Sequence, residues 1–330
     1  MNLDTPDEDP ILEPAGSRET SGNRPKGPRR PPRVNSRVDI NGWVNLDKPV
    51  GVTSTQAVGE LKFLYNAKKV GHAGTLDPLA SGVLPIAFGE ATKTVPVVQE
   101  GTKAYRFTVK WGEETETDDA EGKPTARSDL RPEAAQIVAL LPRFVGVILQ
   151  APPMYSAIKI AGERAYDLAR EGQSFEIAAR EITVQRFDLA SHSRDQSVFE
   201  VECGKGGYVR SLARDLGRAL GCFGHVVELR RTRVGPFFSE HGVTLEVLRA
   251  SVEARPAALL SVEAGLSELV RIAIDRNGAA ILRRGQKLLL RGSAAPSEGP
   301  AYTVCLGTPV AVGVVEEGYF VSTRVFNLTN

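Results

Sequence analysis

One segment of the chain, residues 105–111, alternates apolar and polar side chains without a break, and this pattern restricts the possible folds. Its apolar members are Tyr105, Phe107, Val109 and Trp111. A period of two residues predicts a strand with one buried and one exposed face, which belongs to an antiparallel or mixed sheet rather than to a doubly wound parallel one. Elsewhere, helical and strand patterns follow one another without a regular βαβ rhythm. The sequence therefore predicts an α+β fold on a mixed, mainly antiparallel sheet.

Composition divides the 330 residues into three parts. Seven of the 21 prolines lie within residues 1–32, where no hydrophobic periodicity is found, so residues 1–38 are predicted to be a disordered Pro/Arg-rich tail. Residues 39–262 carry the long helical and strand patterns and form the predicted main domain. Short strand-like pieces separated by turns fill residues 263–330 and predict a small β-rich domain. A helix-like run at 251–269 marks the junction.

Several protein classes are disfavoured by features that the sequence lacks. No stretch approaches about 18 consecutive apolar residues, so no membrane-spanning helix is expected, and the polar, acidic N-terminus does not resemble a secretion signal. The three cysteines, Cys203, Cys222 and Cys305, form no CxxC pair. We therefore expect a reducing compartment, the cytoplasm, with neither disulfides nor a zinc site. No GxxxxGK[ST] phosphate loop is present, so no nucleotide cofactor is expected.

The most unusual segment for chemistry is residues 71–85, GHAGTLDPLASGVLP. It places His72 and Asp77 among glycine, proline and leucine residues. A carboxylate that apolar neighbours partly remove from water is a stronger nucleophile or base, provided that a cation keeps it ionised. The residues alone leave two structural alternatives open. Aspartate before proline commonly starts a turn, and His72 is compatible with a polar loop position.

The net charge of +1 does not exclude a nucleic-acid partner, because the charge is unevenly distributed. Between residues 204 and 235 two acids accompany seven bases, which are Lys205, Arg210, Arg214, Arg218, Arg230, Arg231 and Arg233. Since electrostatic attraction acts over about 8 Å at physiological salt, the local sign decides the partner. The segment predicts a surface facing phosphates, with a solvated helix face as the alternative. Tyr105 and Tyr208 lie near arginines, as base-stacking residues would, although Tyr105 also suits a core strand.

Residues 113–121 have the opposite character. Six acids occupy this stretch: Glu113, Glu114, Glu116, Asp118, Asp119 and Glu121. Their spacing lacks the D-x-[DN]-x-[DN]-G pattern of a calcium loop. The sequence therefore predicts a solvated acidic loop and no metal site.

Taken together, these segments resemble the bacterial tRNA pseudouridine-55 synthases, the TruB family. The matching pieces follow the order of the family across about residues 40–260: VNLDKPVGVTS (44–54), GHAGTLDPLASGVLP (71–85), GEATK (89–93), KAYR (103–106), MYSAIK (154–159), KGGYVRSLARDLG (205–217) and GHVVELRRTRVG (224–235). The resemblance implies that residues 39–262 are a pseudouridine-synthase catalytic domain. It also implies that residues 263–330 are an RNA-binding domain similar to the PUA domain.

The resemblance implies roles for individual residues. Asp77 matches the catalytic aspartate of the family, Arg210 the arginine that pairs with it, and Tyr105 the tyrosine that stacks on the flipped uracil. Six further positions match family residues implied in RNA binding: Tyr208 and Leu229 at the base pocket, His72 at the T-loop, and Lys48, Lys93 and Asp119 in supporting roles.

The function implied by the resemblance is isomerisation of uridine 55 in the tRNA T-loop to pseudouridine, by a monomer that binds the T-arm and needs no metal or cofactor. The base must leave its stack to meet Asp77, at a cost of a few kcal/mol. Stacking on Tyr105 offsets about 1–3 kcal/mol of that cost. The carboxylate can attack C1′, attack the ring or remove a sugar proton, and the sequence does not choose among these routes. An alternative from another class is an RNA-binding factor that folds tRNA and modifies it only secondarily.

Overall fold

A computed structural model of the chain describes residues 37–156, 159–160, 163–164, 177–290 and 298–328. The predicted tail, apart from its last two residues, and two positions of the MYSAIK motif lie outside the described residues. Val38 forms a parallel bridge with Ala67, so backbone pairing begins inside the range predicted as tail. The domain boundaries after residues 38 and 262 stay predictions.

Strands and short helices alternate irregularly along the described residues. The strands are β1 Gly42–Lys48, β2 Val70–His72, β3 Ser81–Phe88, β4 Lys103–Trp111, β5 Glu113–Thr115, β6 Pro124–Arg127, β7 Gly146–Gln150, β8 Lys159–Ile160, β9 Glu163–Arg164, β10 Arg180–His192, β11 Gln196–Cys203, β12 Gly224–Val234, β13 Phe237–Phe238, β14 Val243–Thr244, β15 Val270–Ala273, β16 Leu288–Leu289, β17 Gly299–Cys305, β18 Thr308–Glu316 and β19 Tyr319–Val325. The α-helices are α1 Ser54–Leu64, α2 Val95–Glu100, α3 Ala134–Leu140, α4 Val209–Ala219, α5 Leu245–Ala250, α6 Ala254–Ala258 and α7 Arg276–Arg283, and short 3-10 helices cover Gly89–Thr94, Leu141–Phe144, Ser239–His241 and Val262–Leu266. Within this part of the chain, no helix combines the length and apolar character needed to cross a membrane.

The larger sheet has the strand order β14-β1-β3-β12-β4-β11-β10-β7, with β2 added beside β3 and β13 beside β12. Its neighbouring strands are antiparallel except for two pairs, β1 with β14 and β3 with β12. The alternating segment 105–111 lies in β4, where Phe107, Val109 and Trp111 are almost fully buried. The predicted α+β fold on a mixed, mainly antiparallel sheet is therefore confirmed.

Helix α1 begins where its local sequence indicates. The Thr53 hydroxyl accepts a hydrogen bond from the Gln56 amide at 3.1 Å, and the Gln56 side chain accepts one from the Thr53 amide at 2.8 Å. This capping box satisfies two donors that a helix start otherwise leaves unpaired. Leu61 and Ala57 then face the core formed with the sheet. The helix places Ser54, its first residue, beside the loop that follows β2.

The predicted β-rich region, residues 263–330, contains a five-stranded sheet of order β15-β17-β18-β19-β16 within residues 270–325. One face shares a hydrophobic core with the larger sheet, in which Tyr302 and Phe326 join Trp43. Helix α7 covers another part of the small sheet and was not predicted. Its start is capped by the Asp275 carboxylate, which accepts a hydrogen bond from the Gly278 amide at 2.7 Å.

The helix-like run at 251–269 is interrupted in the structure. Helix α6 ends at Ala258, and Leu260 then exchanges two backbone hydrogen bonds with Trp43 of β1, at 2.9 and 2.7 Å. A 3-10 helix follows, in which Gly265 lies against the Trp43 ring so closely that an added Cβ would be 2.6 Å from Nε1. Pairing with β1 therefore replaces the continuous helix that local composition indicates.

Candidate active site

A cleft of about 650 Å³ opens where the loop after β2 meets β4, β12 and the start of α4. Five of the predicted site residues line it, from four separate segments of the sequence: Asp77, Tyr105, Tyr208, Arg210 and Leu229. Four others do not line it: His72, Lys48, Lys93 and Asp119. The structure thus brings together the three predicted catalytic residues and the two predicted base-pocket residues.

The loop that carries Asp77 is held by contacts on two sides. The Ser54 hydroxyl donates to the Leu76 carbonyl and accepts from the Leu76 amide, both at 2.9 Å. Arg231 donates to the two preceding carbonyl groups at 3.0 and 3.1 Å. The Asp77 carbonyl accepts from the Ala80 amide at 3.1 Å. The backbone therefore does make the turn that the sequence allowed, and the Asp77 side chain remains available for other contacts.

Arg210 connects the Asp77 carboxylate to the protein interior. Its Nη2 lies 3.0 Å from Asp77 Oδ2, and its Nη1 lies 3.4 Å from Asp119 Oδ2. The two nitrogens also donate to the carbonyls of Thr117 and Tyr155, at 2.9 and 3.0 Å. The Arg210 side chain is 7% exposed, whereas that of Asp77 is 36% exposed. The cation is thus fixed while the carboxylate keeps an open side toward the cleft.

The ring of Tyr105 forms one wall of the cleft. Strand β4 places it directly opposite Arg231 of β12. Burial raises the pKa of the Tyr105 phenol to about 12, and the positive charge of Arg231 opposes that rise. The phenol is therefore protonated at neutral pH. A neutral, partly exposed ring is suited to stacking against a planar base.

Tyr208 stands at the start of α4 and is fixed through its backbone. Its amide donates to Gln150 Oε1 at 2.8 Å, and Gln150 Nε2 donates to its carbonyl at 3.1 Å. The guanidinium of Arg180 lies 5.6 Å from the centroid of the Tyr208 ring, within cation–π range. Leu229, only 7% exposed, contributes an apolar side chain. The cleft therefore combines aromatic and apolar walls with one carboxylate.

Lys48 and His72 lie outside the lining of the cleft. Lys48 is fully buried and donates to the carbonyls of Pro49 and Val52 at 2.8 and 2.7 Å. Burial lowers the pKa of its ammonium group to about 8, and the nearby Asp77 carboxylate opposes this effect. Burial also lowers the pKa of His72, which is therefore neutral at pH 7. Direct RNA contact by either residue stays a prediction.

Lys93 and Asp119 contact protein groups instead of the cleft. Lys93 Nζ lies 2.7 Å from the Glu90 carboxylate and donates to the Val325 carbonyl at 2.9 Å, which links the 3-10 helix 89–94 to β19. Asp119 is 3% exposed and faces Arg210. Their roles in RNA binding stay predictions. Because Asp119 faces Arg210, it is placed to orient that guanidinium.

The prediction of a solvated acidic loop at 113–121 is wrong for its buried members. Glu114 and Asp118 are 8% and 5% exposed and face the arginines of α4. Arg218 donates twice to Glu114 at 2.6 Å, and Arg214 donates to Asp118 at 3.0 Å. Burying Asp118 or Arg214 alone costs several kcal/mol, so these two charges are buried together, whereas the Arg218 side chain remains 54% exposed. Within the described part of the chain, no cluster of three or more His, Cys, Asp or Glu side chains is arranged to hold a metal ion.

The same ion pairs correct the prediction for the basic segment. Arg210 and Arg214 are buried against carboxylates, so they face neither phosphates nor solvent. On β12, Arg230 pairs with Asp47 at 2.8 Å. The charge of the segment is therefore largely used within the protein.

Sequence reasoning missed three residues that hold the site. Ser54 was named only as the last residue of the VNLDKPVGVTS segment, Arg231 only as one member of the basic segment, and Gln150 was not singled out. Their partners in the structure are backbone groups of the loop after β2, of β3 and of Tyr208. Backbone groups carry no residue-specific signal, so a search for pairs of reactive side chains does not find these contacts.

Two family models match consecutive parts of the chain. The model described as "TruB family pseudouridylate synthase (N terminal domain)" matches residues 62–209, and that described as "tRNA pseudouridylate synthase B C-terminal domain" matches residues 210–266. Among similar proteins, one named tRNA pseudouridine synthase B from Mesorhizobium japonicum is 54% identical over 87% of this chain and 96% of its own length. Another of that name from Bradyrhizobium diazoefficiens is 55% identical, over 89% of this chain and 88% of its own.

Solved structures with a similar fold include a crystal structure of a Cbf5-Nop10-Gar1 complex. The similarity covers 91% of this chain and 87% of the matched chain, with a TM-score of 0.66 and 26% identity. A structure of an H/ACA RNP bound to a substrate RNA containing 2′-deoxyuridine has a TM-score of 0.67 at 24% identity, covering 91% of this chain and 88% of the matched one, and supports the fold alone.

Proposed function

Since the chain belongs to the TruB family of pseudouridylate synthases, we propose that it converts uridine 55 in the T-loop of tRNA to pseudouridine. One observation carries the proposal. A partly exposed carboxylate, Asp77, shares a cleft with the stacking surface of Tyr105 and is paired with the buried cation Arg210. This arrangement suits a reaction at a glycosidic bond that must be shielded from water.

The reaction breaks the bond between N1 of uracil and C1′ of ribose, rotates the base and forms a bond between C5 and C1′. The C5 proton is released and N1 gains one, so the conversion is an isomerisation without redox change. We assign the carboxylate chemistry to Asp77, by attack on C1′, attack on the ring or removal of a sugar proton. Arg210 holds that carboxylate in position, since its Nη2 lies 3.0 Å from Asp77 Oδ2.

The base has to leave the RNA stack to reach Asp77. We assign the stacking surface to Tyr105, which offsets about 1–3 kcal/mol of the unstacking cost. Tyr208 and Leu229 form the remaining walls that hold the uracil. Arg180, over the Tyr208 ring at the exposed edge of the cleft, is available to an RNA phosphate.

The wider assignments belong to the same proposal. The T-arm is the recognised part of the tRNA, His72 and Lys93 contact RNA, and Lys48 and Asp119 act through the groups they touch. Residues 263–330 serve as a PUA-like RNA-binding domain, and the chain works as a cytoplasmic monomer.

Tritium release from an unmodified tRNA transcript that carries 5-tritiated uridine tests the activity. We expect tritium release from this transcript. When cytidine replaces uridine at position 55, the release attributable to that position should fall to background. The Asp77→Asn variant removes the reactive carboxylate while preserving size, so its single-turnover rate should fall by at least about 10³-fold with tRNA affinity within about threefold.

The outcomes separate the parts of the proposal. Absence of release by the unmodified enzyme refutes the activity, and turnover by Asp77→Asn at the normal rate refutes the assigned carboxylate. The same variant addresses an RNA-folding function. If Asp77→Asn still refolds misfolded tRNA, binding and folding are independent of the modification.

A further inference from the structure

The guanidinium of Arg231 lies directly behind the loop that carries Asp77. Its Nη1 and Nη2 donate to the carbonyls of Thr75 and Gly74 at 3.0 and 3.1 Å, and its Nε donates to the Val83 carbonyl at 2.8 Å. The residue is 3% exposed. One buried side chain therefore ties both ends of the loop, before and after the catalytic position, to the centre of the sheet.

The register of the sheet fixes this position. Arg231 of β12 lies opposite Tyr105 of β4 on one side and opposite Gly82 of β3 on the other. The backbone approach at Gly82 is close, because an added Cβ would be 2.2 Å from the Arg231 carbonyl oxygen. The same residue is thus adjacent to both the loop of the catalytic carboxylate and the stacking tyrosine.

The charge of Arg231 differs from that of the other arginines near the site. Arg210, Arg214 and Arg230 each have a carboxylate within 4 Å, whereas the described residues provide none to Arg231. Its hydrogen-bond partners are neutral, namely three backbone carbonyl groups and the Tyr105 phenol. A buried cation without a paired anion keeps a positive potential around it. That potential opposes the burial-induced rise in the pKa of Tyr105.

We propose that Arg231 is a positioning residue for pseudouridine formation, which fixes the Asp77 loop against the sheet and sets the orientation and potential at Tyr105. This inference rests on the function proposed above. A purely structural role would require only that some donor meets these carbonyl groups. The three donors of Arg231 instead hold the backbone both before and after Asp77. Its removal should therefore affect the chemical step far more than RNA binding.

The adjacent arginine provides a matched control. Successive side chains of a strand point to opposite faces, and Arg230 makes a two-pronged pair with Asp47, at 3.0 and 2.8 Å, away from the cleft. Arg230→Met removes the same charge and volume as Arg231→Met from the next position. Arg231→Lys keeps the charge but has no planar fork that can reach three carbonyls at once.

The test measures the single-turnover rate of pseudouridine formation and, separately, the Kd for tRNA. A loop displaced by about 1 Å loses roughly 100-fold in rate, so we expect that loss for Arg231→Met and a smaller one, about tenfold, for Arg231→Lys. The Kd of both variants and the rate of Arg230→Met should stay within about threefold of the unmodified enzyme. A rate for Arg231→Met equal to that of Arg230→Met, or a loss confined to Kd, overturns the inference.

Amide hydrogen exchange supplies a readout that does not depend on activity. Two amides of the Asp77 loop are hydrogen-bonded, that of Leu76 to the Ser54 hydroxyl of α1 and that of Ala80 to the Asp77 carbonyl. Both should exchange faster in Arg231→Lys than in Arg230→Lys. Equal exchange in the two variants contradicts a positioning role even if the enzyme acts on another RNA. If the amides do exchange faster in Arg231→Lys than in Arg230→Lys but the unmodified enzyme releases no tritium, only the proposed function is refuted.

Discussion

Neutralising Asp118 should change how stability depends on pH. This carboxylate is 5% exposed and 3.0 Å from Arg214, yet burial raises its pKa from 3.8 to about 6, since the cost of desolvation exceeds the attraction of Arg214. The folded chain therefore binds more protons than the unfolded chain between about pH 4 and 6, and its stability falls as the pH rises through that interval. At about 1.4 kcal/mol per pKa unit, the group costs about 2–3 kcal/mol of folding free energy at pH 7 relative to pH 4.

Urea unfolding of the unmodified chain and of Asp118→Asn at pH 4 and pH 7 measures this difference. Between pH 4 and pH 7, we expect the free energy of unfolding of the variant to rise by about 2–3 kcal/mol relative to that of the unmodified chain, because the amide cannot ionise. Asp215→Asn is the matched control, since Asp215 contacts the same guanidinium at 2.8 Å but remains 33% exposed. If Asp118→Asn instead loses stability relative to the unmodified chain as pH rises, the ion pair outweighs burial and the reasoning is refuted.

Two further substitutions test the supports of the cleft. Gln150→Leu removes both hydrogen bonds to the Tyr208 backbone and should cost about 1–3 kcal/mol in urea unfolding, whereas an unchanged midpoint would mean that water replaces the amide. At Gly82 the backbone has a φ of +102°, and an added Cβ would lie only 2.2 Å from the Arg231 carbonyl oxygen. Gly82→Ala should therefore destabilise the fold by at least about 2 kcal/mol, which lowers the melting temperature. A normal melting temperature would show that β3 and β12 can separate there at little cost.

The parts of the fold that the sequence predicted are those governed by local rules. Strand β4 was predicted from strict alternation, and the start of α1 obeys a comparable local rule, because Thr53 and Gln56 form its capping box. Helix α7 was missed although Asp275 is a suitable cap, because the helix is short and stands between strand-like pieces. The run at 251–269 was misread because Leu260 pairs with Trp43, more than 200 positions earlier in the chain. Such long-range pairing overrides local helical composition.

The site was predictable where reactive side chains fall within recognisable segments. Asp77, Arg210 and Tyr105 carry such signals, and the structure brings them to one cleft. Arg231 and Gln150 hold backbone groups instead, and which carbonyl or amide a side chain reaches depends on the register of the sheet. That register emerges only when the strands are assembled.

Charge is the property for which the sequence and the folded structure lead to the most different interpretations. The acidic loop 113–121 and the arginines of α4 have opposite local signs, and each was interpreted as facing solvent or a partner. Arg218 and Glu114 are 104 positions apart, yet their side chains form two hydrogen bonds. A segment rich in one sign of charge therefore indicates an RNA-binding surface only at the charges that are not already paired with other residues of the protein. By that criterion the phosphate-binding positions should be sought at exposed Arg180, beside Tyr208, rather than along α4.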